Sequence, residues 1–395
     1  MASRRKFITK SIMSAGVAAA GTVYSLASVK PSEAKPWKRK TNDSLIRIGA
    51  LTSGHHHHLY SIWGPMINPV PENGTVLPRM NGMLMTHVWD INKQHQREFA
   101  QKFGVKEVPT YDAMVGEVDA VMLCEVWSIN NWPQLAAPYL KAGIPVFFNR
   151  PFASSMGRAK EIVKLSKETG TPICTFSSWE YCFAASSMRR KLKQWAGPDK
   201  FGTDKTAREN NIPVPPINGV VAYNTSSDIT HDIHGLWLIL SCVGPGVESV
   251  SADVAGKDIY KTTSTTWTLK FKPRGKEPGF FAALVNSNEP DSNAWIKVLT
   301  NSGTYETNLW QMEDYDSRRY EFFNTPLIEF QKMVERGEMP QTHEHILDKT
   351  AVFLAGVKSW KDKNGGKVRI DELEDDYYVQ ADTGVEEYPP DMFKK

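Results

Sequence analysis

The 395-residue chain has little cysteine and almost no net charge. Its four cysteines, at positions 124, 174, 182 and 242, are too few for a scaffold held together by disulfides. Their spacing selects none of the three possible pairings, so we expect free buried thiols. The formal charge is +3, and residues 1–34 hold five basic residues against one acidic residue, which leaves the remainder close to neutral. This balance gives no sign of a nucleic-acid partner.

The first 34 residues have the pattern of an export signal. A basic start with adjacent arginines, Arg4 and Arg5, precedes a weakly apolar run rich in Ala, Gly and Ser, and small residues follow at Ser32 and Ala34. The paired arginines resemble the twin-arginine class. We expect cleavage after Ala34 and a periplasmic or otherwise exported protein. No later segment is apolar enough for a stable membrane span, and the alternative, a single anchor in this run, is disfavoured by its small residues.

Residues 118–151 predict a β-α-β unit. An apolar strand over 118–123 ends at Cys124 and Glu125, a helical stretch is closed by Gly143, and a second apolar strand over 144–148 stops at Asn149 and Arg150. A unit of this kind implies a parallel sheet with its ligand site at the carboxyl ends of the strands. The sequence therefore places Glu125, Asn149 and Arg150 on the ligand-binding edge.

The pattern along the chain predicts two domains and a tail. Residues 43–178 alternate strands and helices, with an irregular insertion at 59–82, and indicate a Rossmann-like doubly wound α/β domain. Residues 179–373 begin with a helix at 179–195, contain alternating apolar runs and three more helices, and indicate an α+β domain on a mainly antiparallel sheet. Residues 374–395 form a C-terminal tail.

The chain resembles the glucose–fructose oxidoreductase, inositol dehydrogenase and MocA family (Gfo/Idh/MocA). Members carry a strand reading VDAV, as at residues 118–121, and an ending of the form G-x-x-V-x-x-E-K-P-x-A, where this chain reads GIPVFFNRPFA at residues 143–153. A closing GGKVRIDEL at residues 365–373 agrees with the resemblance. The implied fold is the two-domain architecture just described, and the implied activity is NAD-dependent oxidation of a sugar-like substrate.

The resemblance implies a dinucleotide site that departs from the family pattern. Where members carry G-x-G-x-x-G after the first strand, this chain keeps one glycine and continues with four histidines at residues 55–58. An acidic residue still ends the second strand, in the position that holds the ribose hydroxyls and favours NAD over NADP. The implied cofactor contacts are Thr52, Ser53, Gly54, His55, His56, Asp90, Glu125, Asn149 and Arg150.

The resemblance also implies a catalytic cation and a base. Arg150 stands where the family has Lys, and since arginine stays protonated it can stabilise a negative oxygen but is a poor proton shuttle. Redox members carry an Asp and a His four residues apart on a helix of the second domain. The predicted helix at 228–241 offers Asp228, His231 and His234 at spacings that can share one face.

We expect His231 to act as the base, oriented by Asp228 or Asp232. Glu180, which follows the last strand of the first domain, is a second acid or base candidate.

Three functions remain open from the sequence. The first is an exported oxidoreductase that transfers hydride between a sugar or glycoside hydroxyl and a tightly bound NAD. The second is a non-redox carbohydrate lyase, hydratase or glycosidase that uses His231, His234 and Glu180, with or without a divalent metal such as Zn or Mn held by the histidine clusters at 55–58 and 231/234. The third is a catalytically silent sugar-binding relative. In each case we expect a small-molecule carbohydrate ligand, and the second-domain sheet, a common dimer surface in the family, predicts a homo-oligomer.

Overall fold

The computed structural model describes residues 45–54, 58–70, 80–194, 216–225, 229–256, 264–287, 294–309, 315–379 and 390–393. A parallel sheet forms the first part of the chain. Its strands are β1 (Ile46–Leu51), β2 (Met83–Trp89), β3 (Lys106–Glu107), β4 (Ala120–Leu123), β5 (Val146–Phe148) and β6 (Ile173–Thr175). They lie in the order β3-β2-β1-β4-β5-β6, and every neighbouring pair is parallel. The order reverses between β1 and β4, which is where ligands bind in sheets of this type.

Helices cover both faces of this sheet. One face packs against α1 (Gly64–Ile67), α2 (Lys93–Phe103) and α8 (Tyr315–Arg336), and the other against α3 (Trp132–Lys141) and α4 (Met156–Thr169). Local sequence sets several helix ends. Side-chain oxygens of Asn92 and Ser155 cap the starts of α2 and α4, and Gly104 and Gly170 end them in the left-handed conformation. The strands β4, β5 and β6 are buried on both sides, as the apolar run of β4 predicts.

The predicted irregular insertion at residues 59–82 is wrong in its first part. Leu59–Trp63 forms a π-helical turn that continues into α1. Leu59, Trp63, Met66 and Ile67 recur at helical spacing and are all buried, and Pro65 stands in the first turn of α1, where proline is tolerated. The prolines of this segment favour a loop, and the prediction therefore missed the helical spacing of its apolar residues. Residues 71–79 lie outside the described residues.

The second sheet is mainly antiparallel. Its strands are β7 (Ile217–Thr225), β8 (Val247–Ala255), β9 (Ser264–Phe271), β10 (Phe281–Ser287), β11 (Trp295–Thr300), β12 (Gly303–Asn308) and β13 (Val368–Arg369). Their order is β12-β11-β7-β10-β9-β8-β13, and β7 with β10 is the parallel pair among otherwise antiparallel neighbours. The predicted fold class is therefore confirmed.

Three helices pack with the second sheet: α6 (Phe183–Gln194), α7 (Asp232–Val243) and α9 (His343–Lys363). Burial alternates along β9, and its apolar residues Trp267, Leu269 and Phe271 enter the core with α7 and α9. Gly356 of α9 lies directly on the indole of Trp267, where an added Cβ would be 1.7 Å from Cζ3. The helix therefore lies closer to the sheet than any residue with a side chain would allow.

The predicted helix at 179–195 is interrupted. A short helix, α5 (Ser178–Tyr181), ends at Cys182, whose backbone is extended, and α6 begins at Phe183. Neither Gly nor Pro marks this break, so no local signal predicted it. The four cysteines are buried and free, as expected. Within the described ranges, no helix is long and apolar enough to span a membrane.

Candidate active site at the carboxyl edge of the parallel sheet

The loop after β1 is held by the end of β2. Ser53 donates two hydrogen bonds to Asp90 Oδ2, from its backbone N at 2.8 Å and from its hydroxyl at 2.6 Å. Asp90 Oδ1 accepts from the backbone N of Asn92 at 2.8 Å. Thr52 has a φ of 83° and Gly54 a φ of 59°, so the chain turns tightly here even though one of these residues carries a side chain. The predicted ribose ligand, Asp90, is thus also the anchor of the loop.

The loops after β4 and β5 meet beside this turn. Glu125 is buried, and its backbone N donates to Thr52 Oγ1 at 3.2 Å. Asn149 donates from Nδ2 to the carbonyl of Cys124 at 3.1 Å. Its other side-chain atom, Oδ1, is buried and has no hydrogen-bond partner among the residues that the structure describes. A buried acceptor of this kind is costly unless a donor reaches it, so Asn149 is suited to bind a ligand.

Two histidines lie at the head of α7, and the charge of Arg150 acts on one of them. His231 is half-buried and His234 is buried, and their ring centroids are 5.8 Å apart. Burial lowers the pKa of His234 well below its usual value, and the charges of Arg150, His231 and His58 lower it further. The charges of these three residues therefore act on His234, which is neutral at pH 7.

Ser177 connects the two domains at the same place. Its hydroxyl lies 2.6 Å from Nδ1 of His234, and it also caps α5 by accepting from the backbone N of Trp179 at 3.1 Å. Ser177 follows β6, and no sequence motif identifies it as a site residue. The ordinary N-cap pattern, Ser followed three residues later by Glu, was its only visible signal.

Glu180 is engaged in a buried ion pair rather than exposed in the cleft. Both of its carboxylate oxygens lie 3.2 Å from Nζ of Lys349, and both side chains have no exposed surface. The carboxylate also accepts from Ser177 N at 2.7 Å and from Gln341 Nε2 at 3.0 Å. Burial raises the pKa of Glu180 and lowers that of Lys349, and the pair offsets both effects. This geometry gives Glu180 a structural function, not that of an acid or base.

Asp232 has a similar structural function. It accepts hydrogen bonds at 2.6 Å from Thr265 Oγ1 and Trp267 Nε1 and at 2.7 Å from Asn286 Nδ2, so its carboxylate ties α7 to the second sheet. These bonds hold its carboxylate on the side that faces the sheet, and its predicted function of orienting His231 stays a prediction. Asp228, His55 and His56 lie outside the described residues, so their predicted contributions stay predictions.

The metal alternative gains no support. In the parts of the chain that the structure describes, no group of three or more His, Cys, Asp or Glu side chains could hold a metal ion.

A dinucleotide fits the described residues at two points. The unpartnered Oδ1 of Asn149, at the end of β5, suits the amide hydrogens of a nicotinamide carboxamide. Asp90 Oδ1 receives one hydrogen bond and keeps a lone pair that can accept from a ribose hydroxyl. Both atoms lie on the edge where the strand order reverses. Residues 55–57 are outside the described residues.

Comparisons with known proteins agree with this class of fold. Residues 71–176 match the Gfo/Idh/MocA family, described as an oxidoreductase family with an NAD-binding Rossmann fold. No curated protein matches the chain by sequence. The resemblance found in the sequence is thus supported for the family, whereas the twin-arginine signal stays a prediction.

Solved structures share the fold over most of the chain. GenD2 from gentamicin A biosynthesis, in complex with NAD, has 15% identity and a TM-score of 0.63, with 82% of this chain and 96% of that one covered. Myo-inositol dehydrogenase from Lactobacillus casei, in complex with NAD(H) and myo-inositol, has 15% identity, a TM-score of 0.62 and the same coverage. An oxidoreductase from Agrobacterium radiobacter, in complex with NAD+, L-tartaric acid and magnesium, has 13% identity, a TM-score of 0.60 and coverage of 83% and 99%.

Proposed function

We propose that this protein is an NAD-dependent oxidoreductase that acts on a hydroxyl group of a sugar, glycoside or related polyol. The observation that carries the proposal is that the charge of Arg150, at the carboxyl edge of the parallel sheet, lowers the pKa of His234, whose ring centroid lies 5.8 Å from that of His231 at the head of α7. In this proposal a cation and a proton acceptor act together on the hydroxyl oxygen of the substrate. Oxidation of an alcohol needs an acceptor for the hydroxyl proton, and a cation beside the oxygen stabilises the alkoxide.

The cofactor would be held by Asn149 at the nicotinamide end and by Asp90 at the ribose end. When bound, NAD supplies the acceptor for the hydride that leaves the carbinol carbon. A carboxylate at the position of Asp90 accepts from ribose hydroxyls and repels a 2′-phosphate, so the chain should prefer NAD to NADP. Tight retention of NAD is part of the proposal, because little free NAD is present outside the cytoplasm.

The protein's own residues would move the proton. His231, which is half-buried and so reachable by substrate, takes the hydroxyl proton. Arg150 keeps its positive charge and stabilises the alkoxide that develops. His234 is held neutral by its surroundings and leaves Arg150 as the charge nearest the reacting oxygen.

The cofactor assignment is tested first by what the freshly purified protein carries. Denaturation and analysis of the supernatant should release NAD in near-equal amount to the protein, and added NAD should raise the melting temperature more than NADP. An empty protein that gains no thermal stability from NAD would end the dehydrogenase proposal. Zinc or manganese at one ion per chain would favour the metal-dependent alternative instead.

The residue roles are tested by turnover, followed as NADH absorbance over a panel of sugars and polyols. We expect His231→Ala to lower kcat about 10²- to 10⁴-fold. The control is His343→Ala, because His343 bonds Ser166 near the end of α4, on the opposite edge of the sheet. Arg150→Lys should retain or raise turnover, since Lys keeps the charge and can also exchange a proton. Unchanged turnover in His231→Ala would remove His231 from the mechanism.

Two further proposals concern the intact protein. We propose export by the twin-arginine route, with cleavage after Ala34, as the basic and small residues of the N-terminus indicate. N-terminal sequencing of the secreted protein tests the cleavage site. Replacement of both Arg4 and Arg5 by Lys tests the route, because it should abolish secretion.

We also propose a homo-oligomer through the second sheet, where Phe281, Val285 and Leu299 are exposed apolar side chains. Light scattering of Phe281→Lys against the natural protein tests this interface.

A further inference from the structure

The tautomer of His234 can be read from the contacts of Ser177. A neutral imidazole carries one proton, on either Nδ1 or Nε2, and the partner of one nitrogen decides the state of the other. Here Nδ1 faces the hydroxyl of Ser177 at 2.6 Å, and both residues are buried. The direction of this one hydrogen bond therefore fixes what the second nitrogen of His234 can do.

Ser177 has few alternatives for its own hydrogen. Its oxygen is the N-cap of α5 and accepts from backbone amides of the first turn, including that of Trp179 at 3.1 Å. Backbone N–H groups only donate, so these bonds use the lone pairs of the hydroxyl and not its hydrogen. Among the described residues, His234 Nδ1 is the acceptor toward which that hydrogen can turn.

We infer that Ser177 donates its hydroxyl hydrogen to Nδ1 of His234 and so holds this imidazole with its proton on Nε2. His234 then presents a hydrogen-bond donor on the side of the ring that faces away from Ser177. Ser177 itself has no exposed surface, so it acts through His234 as a positioning residue and does not touch substrate.

The consequence for catalysis rests on the proposed function. If the protein oxidises an alcohol, the reacting oxygen becomes negative as its proton leaves, and a donor on His234 stabilises that charge beside Arg150. His231 is then the proton acceptor of the pair. The two histidines, which the sequence offers as near equivalents, have different functions because one of them contacts Ser177.

The capping geometry behind Ser177 keeps the hydroxyl in place. Its backbone N donates to Glu180 Oε2 at 2.7 Å, and the ion pair of Glu180 with Lys349 holds that carboxylate. The turn that carries Ser177 is therefore fixed from both ends of the capping box. A loosely held serine could move its oxygen by rotation about χ1, but this one cannot do so without losing its cap.

The decisive variant is Ser177→Asp. Aspartate is also a good N-cap, but its carboxylate only accepts hydrogen bonds, so it should draw the proton of His234 to Nδ1. Ser177→Thr keeps the hydroxyl and should behave as the natural protein does. The matched control is Ser155→Asp, because Ser155 caps α4 in the same way, with Arg158 N at 3.3 Å, and His234 is not among its partners.

The measurement is a two-bond ¹H–¹⁵N spectrum of protein labelled at histidine, recorded near neutral pH without substrate. The His234 signal is assigned by its loss in His234→Gln. We expect the Nε2–H pattern in the natural protein, Ser177→Thr and Ser155→Asp, and the Nδ1–H or doubly protonated pattern in Ser177→Asp. An Nδ1–H pattern in the natural protein, or no switch in folded Ser177→Asp, would overturn the inference.

A second variant and a kinetic measurement distinguish failure of this inference from failure of the proposed function. If Ser177→Asp does not fold, Ser177→Ala should show a lower fraction of the Nε2–H form, and an unchanged fraction would count against the inference.

In the active enzyme, Ser177→Asp should lower kcat about 100-fold with little change in KM, as for loss of one donor to a developing oxyanion. A switched tautomer with unchanged kcat would overturn the catalytic part. Absence of any dehydrogenase activity would count against the proposed function alone, because the spectra need no turnover.

Discussion

Replacing Lys349 with Met should destabilise the protein strongly, although Lys349 is not one of the residues proposed to bind the cofactor. Its Nζ lies 3.2 Å from both oxygens of Glu180 and 2.7 Å from the carbonyl of Thr175, and it stands 3.8 Å from the ring centre of Trp237. Neither charged side chain has exposed surface. Methionine has a similar length, so the substitution removes the charge and the hydrogen bonds without opening a large cavity.

The expected loss is about 3–5 kcal/mol in the free energy of unfolding, the usual cost of leaving one member of a buried ion pair uncompensated. Urea unfolding at pH 7 measures it. The loss relative to the natural protein should shrink as the pH falls. Burial already raises the pKa of Glu180, and without Lys349 that pKa rises further, so the folded variant takes up a proton and loses the unpaired charge.

Two comparisons decide whether the reasoning is right. The double variant with Glu180→Gln and Lys349→Met should be more stable than the sum of the single losses predicts, because neither charge is then left alone. Lys164→Met is the matched control, since Lys164 pairs with Glu168 at 3.8 Å on an exposed helix face and should cost less than about 0.5 kcal/mol. A loss below about 1 kcal/mol in Lys349→Met, or additive losses in the double variant, would refute the argument.

Two further predictions concern packing and pH. Gly356→Ala should cost at least about 1–3 kcal/mol, because its Cβ would lie 1.7 Å from the Trp267 indole, whereas Gly219→Ala, with its nearest atom at 3.5 Å, should change the melting temperature little. Equal melting temperatures would contradict the close packing. Burial lowers the pKa of His345 from 6.5 to about 4, with a smaller effect of the Lys349 charge. Between these values the unfolded chain binds more protons, so stability should fall as pH drops, by up to about 1.4 kcal/mol per unit, and His345→Gln should flatten urea-unfolding profiles over this range. An equally steep profile in the variant would contradict the assignment.

Much of the fold followed from local patterns. The strands β1, β2 and β4 are apolar runs that burial requires in a parallel sheet, and the helices α2 and α4 begin at residues that cap them. The failures occurred where local signals were misleading or absent. Prolines concealed the helical turn at Leu59–Trp63, and no Gly or Pro marks the break at Cys182.

The site was predictable in its position but not in its contacts. A parallel sheet brings its strand ends to one edge, so Asp90, Glu125, Asn149 and Arg150 could be placed together from strand boundaries alone. The function of Glu180 could not be predicted, because its partner Lys349 lies 169 residues away. The sequence does not distinguish a glutamate that faces a cleft from one that forms a buried ion pair.

The sequence by itself determined the two-domain class, the order of strands and helices, and the edge at which ligand chemistry belongs, because hydrophobic periodicity and chain connectivity are local properties. Only the tertiary structure decided which polar groups meet. Ser177 with His234, Ser53 with Asp90 and Glu180 with Lys349 are contacts across 57, 37 and 169 residues. Burial makes each such group depend on its partner, and partners are set by packing in three dimensions rather than by neighbours along the chain.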